Sequence, residues 1–248
     1  MKLTQNLYVV GGGRFGFGLS GELDCHVYVL DGGSELAIID PGLGIKGDFD
    51  TILQNIRDDG LDPSRIRKMI LTHYHCDHVG AAAEAEQRLT PEVYASALAA
   101  PVIRTGDEKA VALDVAKAAG FYPQDFHLPP CPVHVELREG DVFRVGDLEL
   151  TTYETPGHCD GHLSFFMTGG DRNYLLGADL VFWGGRILLQ NIHDCRIDAY
   201  ASSVLKVADL DFDALIPGHL QICLKYGKQH ITKAADAFRQ LGVPPNLM

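Results

Sequence analysis

Four short apolar runs in this chain each end on a side chain that can hold a proton or a metal ion. Ala37-Ile38-Ile39 stops at Asp40, and Met69-Ile70-Leu71 runs through Thr72 to His73. Leu175-Leu176-Gly177-Ala178 stops at Asp179, and Ala214-Leu215-Ile216 runs through Pro217-Gly218 to His219. An uninterrupted apolar run reads as a strand buried on both faces. The loops at strand ends diverge freely while the sheet holds their roots, so functional groups collect there. A lone Asp at such a place is ordinarily a cap or a loop acceptor. Two Asp and two His delivered by four strands can point at one place.

Around these runs, strand and helix patterns alternate. Cys25–Leu30 and Glu35–Ile39 flank Asp31-Gly32-Gly33-Ser34, a hairpin signal, and Gly146-Asp147 joins Asp141–Val145 to Leu148–Tyr153 in the same way. Further strands are expected at Lys68–Leu71, Glu92–Ala95, Leu163–Met167, Tyr174–Gly177 and Ala214–Ile216. Helical spacing covers Asp48–Asp59 (Phe49, Ile52, Leu53, Ile56), with Asp48 as its N-cap. Helices are also expected at Val79–Leu89, Glu108–Ala119, Asp198–Leu210 and Lys228–Leu241. Hairpins with covering helices imply an α/β protein, a four-layer αββα sandwich of two mixed β-sheets with outer helices. There is no internal repeat and no long linker, and Leu128-Pro129-Pro130-Cys131-Pro132 is a local rigid bend. One domain over residues 1–248 is therefore expected.

Charge narrows the function classes. The 33 Asp and Glu against 21 Lys and Arg leave a net −12. That balance lacks the basic footprint of nucleic-acid or anionic-membrane binding. No run approaches the ~18 apolar residues of a membrane span. The first 15 residues do not read as a signal peptide, and the 6 cysteines form no CxxC or disulfide framework. A cytoplasmic protein with reduced thiols and a small-molecule substrate is expected. The composition also holds 11 His, the commonest metal ligand.

Those histidines are organised. In Thr72-His73-Tyr74-His75-Cys76-Asp77-His78-Val79-Gly80, residues two apart in an extended loop project to one side, so His73 and His75 can share an ion. Asp77 and His78 follow where the chain turns into a helix, and they can face a second ion. Imidazole with a carboxylate suits zinc, and also iron or manganese. A second motif, Thr155-Pro156-Gly157-His158-Cys159-Asp160-Gly161-His162, presents His158 from a tight turn.

Together these residues resemble the metallo-β-lactamase-fold superfamily. Its pattern is His-x-His-x-Asp-His, a distant His in a Pro-Gly-His turn, a strand-end Asp and a late His. The resemblance spans residues 40 to 219 and implies a binuclear site. His73, His75 and His158 would hold one metal; Asp77, His78 and His219 would hold the other; Asp179 would bridge them. Asp40 would stand behind the ligands. His162 reads either as a donor behind the ligands or as packing at a strand start, and His193 as a pocket residue. Cys76 and Cys159 occupy variable positions of the motifs and read as small loop residues. His26, His127, His134 and His230 read as structural or surface residues.

The resemblance also implies chemistry. A hydroxide bridging two metals, most simply zinc, would attack a thioester, ester or lactone carbonyl, with Asp77 positioning it and passing on its proton. Asp179 at the bridging position sets the chain apart from β-lactam hydrolases, and His75 sets it apart from the diiron oxygen-reducing branch. The Thr155–His162 turn is similar to that of glyoxalase II and of lactonases, although the lysines available for glutathione (Lys225, Lys228, Lys233) are few. The alternative is a mono-iron persulfide dioxygenase using His73, His158 and Asp179. A metal-binding domain without catalysis is the third reading. The substrate pocket is expected from Gly11–Leu19, Ala97–Gln124 and Trp183–Asp194, which carry Phe15, Phe17, Phe121, Tyr122, Phe182 and Trp183. A homodimer is a family-level expectation.

Overall fold

A computed structural model describes residues 1–45 and 47–247. The chain divides into two compact units, Met1–Leu137 and Arg138–Met248, each built on one mixed β-sheet.

In the first unit, the strands are β1 (Leu7–Gly11), β2 (Val27–Asp31), β3 (Leu36–Ile39), β4 (Ile66–Ile70), β5 (Glu92–Ser96) and β6 (Val135–Leu137), and they lie side by side in sequence order. The β1–β2 and β2–β3 pairs are antiparallel, and the pairs from β3 to β6 are parallel. Helix α1 (Asp48–Asp58) buries Phe49, Ile52, Leu53 and Ile56, the one face that its spacing predicts. Its cap differs from expectation. Gly47, at φ 86°, is the N-cap, and Asp48 is the first helical residue. Only a residue without Cβ takes that left-handed conformation without strain, while Asp48 still places a negative charge in the first turn.

The helix expected over Val79–Leu89 is two helices, α2 (Cys76–Val79) and α3 (Ala82–Leu89). The break has a local cause. Ala81 N–H donates to Gly42 O at 2.9 Å instead of continuing the helix, and Asp77 O accepts from Cys25 N at 3.3 Å. Gly80 is pressed on the Leu43 carbonyl, where a Cβ would sit 2.3 Å from the oxygen. The first-unit loops thus take the bonds that would have joined α2 to α3.

Helix α4 (Ala99–Thr105) escapes the sequence pattern because Pro101 interrupts it, although Pro is compatible with a first helical turn. Helix α5 (Leu113–Ala118) begins five residues later than expected. Asp107 Oδ1 accepts from Lys109 N (3.1 Å) and Ala110 N (3.0 Å), closing a turn in place of the first helical residues.

The second unit orders its strands β11-β10-β9-β8-β7: β7 (Val142–Val145), β8 (Leu148–Glu154), β9 (Leu163–Thr168), β10 (Tyr174–Ala178) and β11 (Ala214–Pro217). Only β10 and β11 are parallel. Helices α6 (Ile197–Val207) and α7 (Lys228–Arg239) bury Tyr200, Val204, Val207, Ile231, Ala234 and Ala235 in one apolar cluster with Leu175, Leu180 and Leu215. Among the described residues, no helix is long and apolar enough to cross a membrane.

Candidate metal centre

Each unit gathers one set of metal-ligating side chains at its strand ends. In the first unit, Asp40 follows β3 with φ 49°, a left-handed conformation that Asp tolerates better than most residues. Its backbone N–H donates to Ile70 O at 3.1 Å, so the end of β3 is tied to the end of β4. Its buried carboxylate then accepts three bonds: Thr72 N to Oδ1 (2.8 Å), Thr72 Oγ1 to Oδ2 (2.6 Å) and His78 Nδ1 to Oδ2 (2.9 Å).

These bonds assign tautomers. The only hydroxyl proton of Thr72 goes to Asp40, so its oxygen accepts from His73 Nδ1 at 3.0 Å. His73 and His78 therefore both carry the proton on Nδ1, and Nε2 keeps the lone pair that binds a metal. The rings of His73 and His75 stand 4.8 Å apart at 80°, and those of His73 and His78 stand 4.0 Å apart. The loop brings His73, His75 and His78 together as the spacing predicts. Asp77 joins them, with Oδ2 3.8 Å from His78 Nε2.

Two neighbours of this set have no role beside the ligands in the sequence reading, which names Tyr122 only as a pocket aromatic and gives Cys25 no role. Cys25 is buried and shares with Asp40 and His78 a cluster whose ligand atoms lie within 4.8 Å. Burial pushes its thiol well up, against the opposing pull of His78, so it stays protonated. Tyr122 donates its hydroxyl to Asp77 Oδ1 at 2.8 Å. Burial, then the Asp77 charge, holds its phenol far above the ordinary range, so it remains a donor. Cys76 is also buried, and burial followed by the Asp77 charge pushes its thiol up.

In the second unit, Gly157 adopts φ 138° and packs where a Cβ would lie 2.5 Å from Tyr200 Cα, so only glycine fits the turn that presents His158. His158 Nδ1 donates to Leu188 O at 3.3 Å, which leaves Nε2 as the ligating atom. Asp179 follows Ala178, whose φ is 42°. Its backbone is held on both sides: its N–H donates to His162 Nε2 at 3.2 Å, and its C=O accepts from Tyr200 Oη at 2.8 Å. His162 is itself oriented by Thr155 Oγ1 at 2.9 Å. His162 thus supports Asp179 from behind, and Tyr200, read in the sequence only as a helix residue, does the same. The loop carrying His219 is tied to this strand end by Gly218 N donating to Ala178 O at 2.9 Å.

One carboxylate oxygen lies between two imidazoles here. Asp179 Oδ2 is 3.4 Å from His158 Nε2 and 3.6 Å from His219 Nε2. Ligands ~2.0–2.2 Å from a tetrahedral ion lie roughly 3.3–3.5 Å apart, so the donor set suits divalent metal. His193 is not part of it. Its ring is exposed, 4.0 Å from Asp194 Oδ1, and it belongs to no potential ligand cluster among the described residues.

The remaining histidines serve local structure. Phe17 stacks on buried His26 at 5.2 Å, His127 pairs with Glu108 at 2.8 Å, His134 Nδ1 accepts from Val93 N, and His230 Nδ1 accepts from Gly184 N. Of the aromatic residues expected to line a pocket, Phe182 is fully buried, whereas Phe15, Phe17, Phe121 and Trp183 are exposed.

The metallo-beta-lactamase superfamily profile matches residues 20–219, which include all four strand ends and both histidine motifs. The chain belongs to the metallo-beta-lactamase superfamily. Its α/β fold of two mixed sheets with helices is that of solved members. The subclass B3 metallo-beta-lactamase BJP-1 of Bradyrhizobium japonicum superposes with a TM-score of 0.71 at 22% identity, covering 97% of this chain and 92% of that one. The acyl-coenzyme A thioesterase MBLAC2 of Bos taurus is 24% identical over 227 residues, 86% of this chain and 78% of the relative. A hydroxyacylglutathione hydrolase of Rhodopseudomonas palustris is 31% identical over 118 residues, 48% of this chain and 35% of the relative. This superfamily member is thus a metallo-hydrolase by family, and its His and Asp clusters have the chemistry of divalent metal sites.

Proposed function

We propose that this chain is a binuclear metal-dependent hydrolase that cleaves a thioester, with esters and lactones as related substrates. The observation that best supports this reading is Asp179, whose Oδ2 stands 3.4 Å and 3.6 Å from two imidazole nitrogens on separate loops, within reach of an ion held by either imidazole. His73, His75 and His158 would hold one ion, Asp77, His78 and His219 the other, and Asp179 would serve both, as the family pattern implies. Zinc fits this imidazole-rich donor set. When bound, two such ions supply hydroxide at neutral pH and polarise a carbonyl oxygen.

The chain's own residues do the rest. Asp40 and Thr72 keep His73 and His78 in the ligating tautomer. His162 and Tyr200 hold the backbone of Asp179. Asp77, with one oxygen toward His78 Nε2, is the group to orient the nucleophile and carry off its proton. Thioesters come first because the hydroxyacylglutathione hydrolase and the acyl-coenzyme A thioesterase both act on them.

The test is metal content of the purified protein by mass spectrometry, with hydrolysis of thioester, ester and lactone probes. Two divalent ions per chain and thioester cleavage abolished by Asp77→Ala are expected. One iron per chain with oxygen uptake on glutathione persulfide would overturn the reading in favour of a dioxygenase.

A further inference from the structure

Tyr122 lies 45 positions beyond Asp77, on the stretch between α5 and β6 that holds no helix or strand. Its ring meets Phe126, with centroids 6.1 Å apart. A phenylalanine would fill that ring contact equally well. The hydroxyl goes instead to a carboxylate, Asp77 Oδ1, at 2.8 Å. Tyr122 is half-buried, and withdrawing a hydroxyl from water even in part is unfavourable unless a partner compensates, which Asp77 does.

The two oxygens of Asp77 are differentiated. Oδ1 accepts from Tyr122, while Oδ2 stands 3.8 Å from His78 Nε2. His78 Nδ1 is committed to Asp40, so Nε2 is its ligating atom. Oδ2 and Nε2 are thus close to the separation of two ligands on one ion, while Oδ1 is engaged by the phenol. We infer that Tyr122 is a positioning residue that clamps Asp77 as a one-oxygen ligand, anchoring the 119–134 stretch to the metal centre by the same bond. This rests on the reading of Asp77 as a metal ligand.

The clamp restricts rotation of the carboxylate before an ion arrives. Without the phenol, Oδ1 is released to turn toward the ion as a second ligating oxygen or toward solvent. Partners behind a ligand change metal affinity by roughly 10- to 100-fold when removed.

The experiment is a double-mutant cycle on the full chain with Tyr122→Phe and Asp77→Ala, read by competition with a chromophoric zinc chelator. Tyr122→Phe is expected to weaken one ion roughly 10-fold or more, with no further loss when Asp77 is already Ala. In the Co(II)-loaded protein, Tyr122→Phe is expected to change the visible absorption spectrum, because the ligation by Asp77 would change, and the spectrum of Asp77→Ala is expected to be insensitive to the same substitution. Tyr122→Leu, which also removes the ring, separates packing from positioning through its melting temperature. Additive effects in the cycle, or zinc affinity unchanged in Tyr122→Phe, would overturn the inference. A wild type holding one ion would overturn the binuclear reading alone, since the cycle is still scored on that ion. A wild type holding none would overturn both.

Discussion

The substitution Asp40→Asn tests the hydrogen-bond hub most directly, because it preserves size and removes one acceptor. The Asp40 carboxylate accepts from Thr72 N, Thr72 Oγ1 and His78 Nδ1 at 2.8, 2.6 and 2.9 Å, and the residue is 2% exposed. Asparagine offers one oxygen. With that oxygen at the Oδ2 position, Thr72 Oγ1 and His78 Nδ1 keep their acceptor, but the new amide N–H₂ confronts Thr72 N–H. One buried donor is then orphaned, which costs about 1–3 kcal/mol. The two surviving bonds lose a charged acceptor, and such bonds are roughly twice as strong as neutral ones, for about 1 kcal/mol more. The flipped amide orphans two donors and is worse. A loss of about 2–4 kcal/mol is expected in the metal-free protein, a large part of the ~5–15 kcal/mol of a typical fold. Urea denaturation of chelator-treated protein measures it as a lower midpoint at unchanged slope. Loaded protein is expected to show roughly 10- to 100-fold weaker metal binding as well, because His78 loses its orienting carboxylate. Metal-free Asp40→Asn within about 0.5 kcal/mol of wild type would refute the reasoning, since the three bonds would then carry no net stability.

Two other outcomes follow from the second unit. Gly157→Ala places a Cβ 2.5 Å from Tyr200 Cα at φ 138°, and is expected to destabilise by about 3 kcal/mol or more; denaturant unfolding within about 1 kcal/mol of wild type would contradict it. Burial opposes the charge of Asp171, but the Tyr174 hydroxyl and then Arg172 outweigh it and hold the carboxyl below its ordinary range. A lowered folded-state value stabilises above the unfolded value of about 3.9 and is lost as pH falls through the folded one. Asp171→Asn should therefore be less stable than wild type at pH 7 and converge with it in strong acid, and parallel stability–pH curves would rule this out.

The legibility of the site follows from how local each signal is. His73, His75, Asp77 and His78 lie within six consecutive residues, so spacing alone places them together. Asp40, His158, Asp179 and His219 are legible because each ends an apolar run or a Pro-Gly turn. The bonds made by Tyr122, read only as a pocket aromatic, and by Tyr200, read only as a helix residue, are not: each reaches its partner across a loop or from a helix, over 45 and 21 positions, and aromatic residues in such places more often pack than donate. His193, read from the sequence only as a pocket residue, is exposed and belongs to no ligand cluster among the described residues. The α2–α3 break was equally invisible, because Gly42 O and Cys25 N, which interrupt the helix, come from loops far away in the chain.

The sequence by itself determined the elements and the donors: apolar runs that must be buried, and His and Asp side chains at their ends with the softness and charge for divalent metal. Those are properties of residue type and short-range periodicity. Tertiary structure alone decided how each donor is held. It directs the Nδ1 protons of His73 and His78 to Thr72 and Asp40, sets His162 and Tyr200 on the backbone of Asp179, and gives one oxygen of Asp77 to Tyr122. A hydrogen bond depends on distance and direction between atoms that the chain brings together only on folding, and no local pattern encodes either.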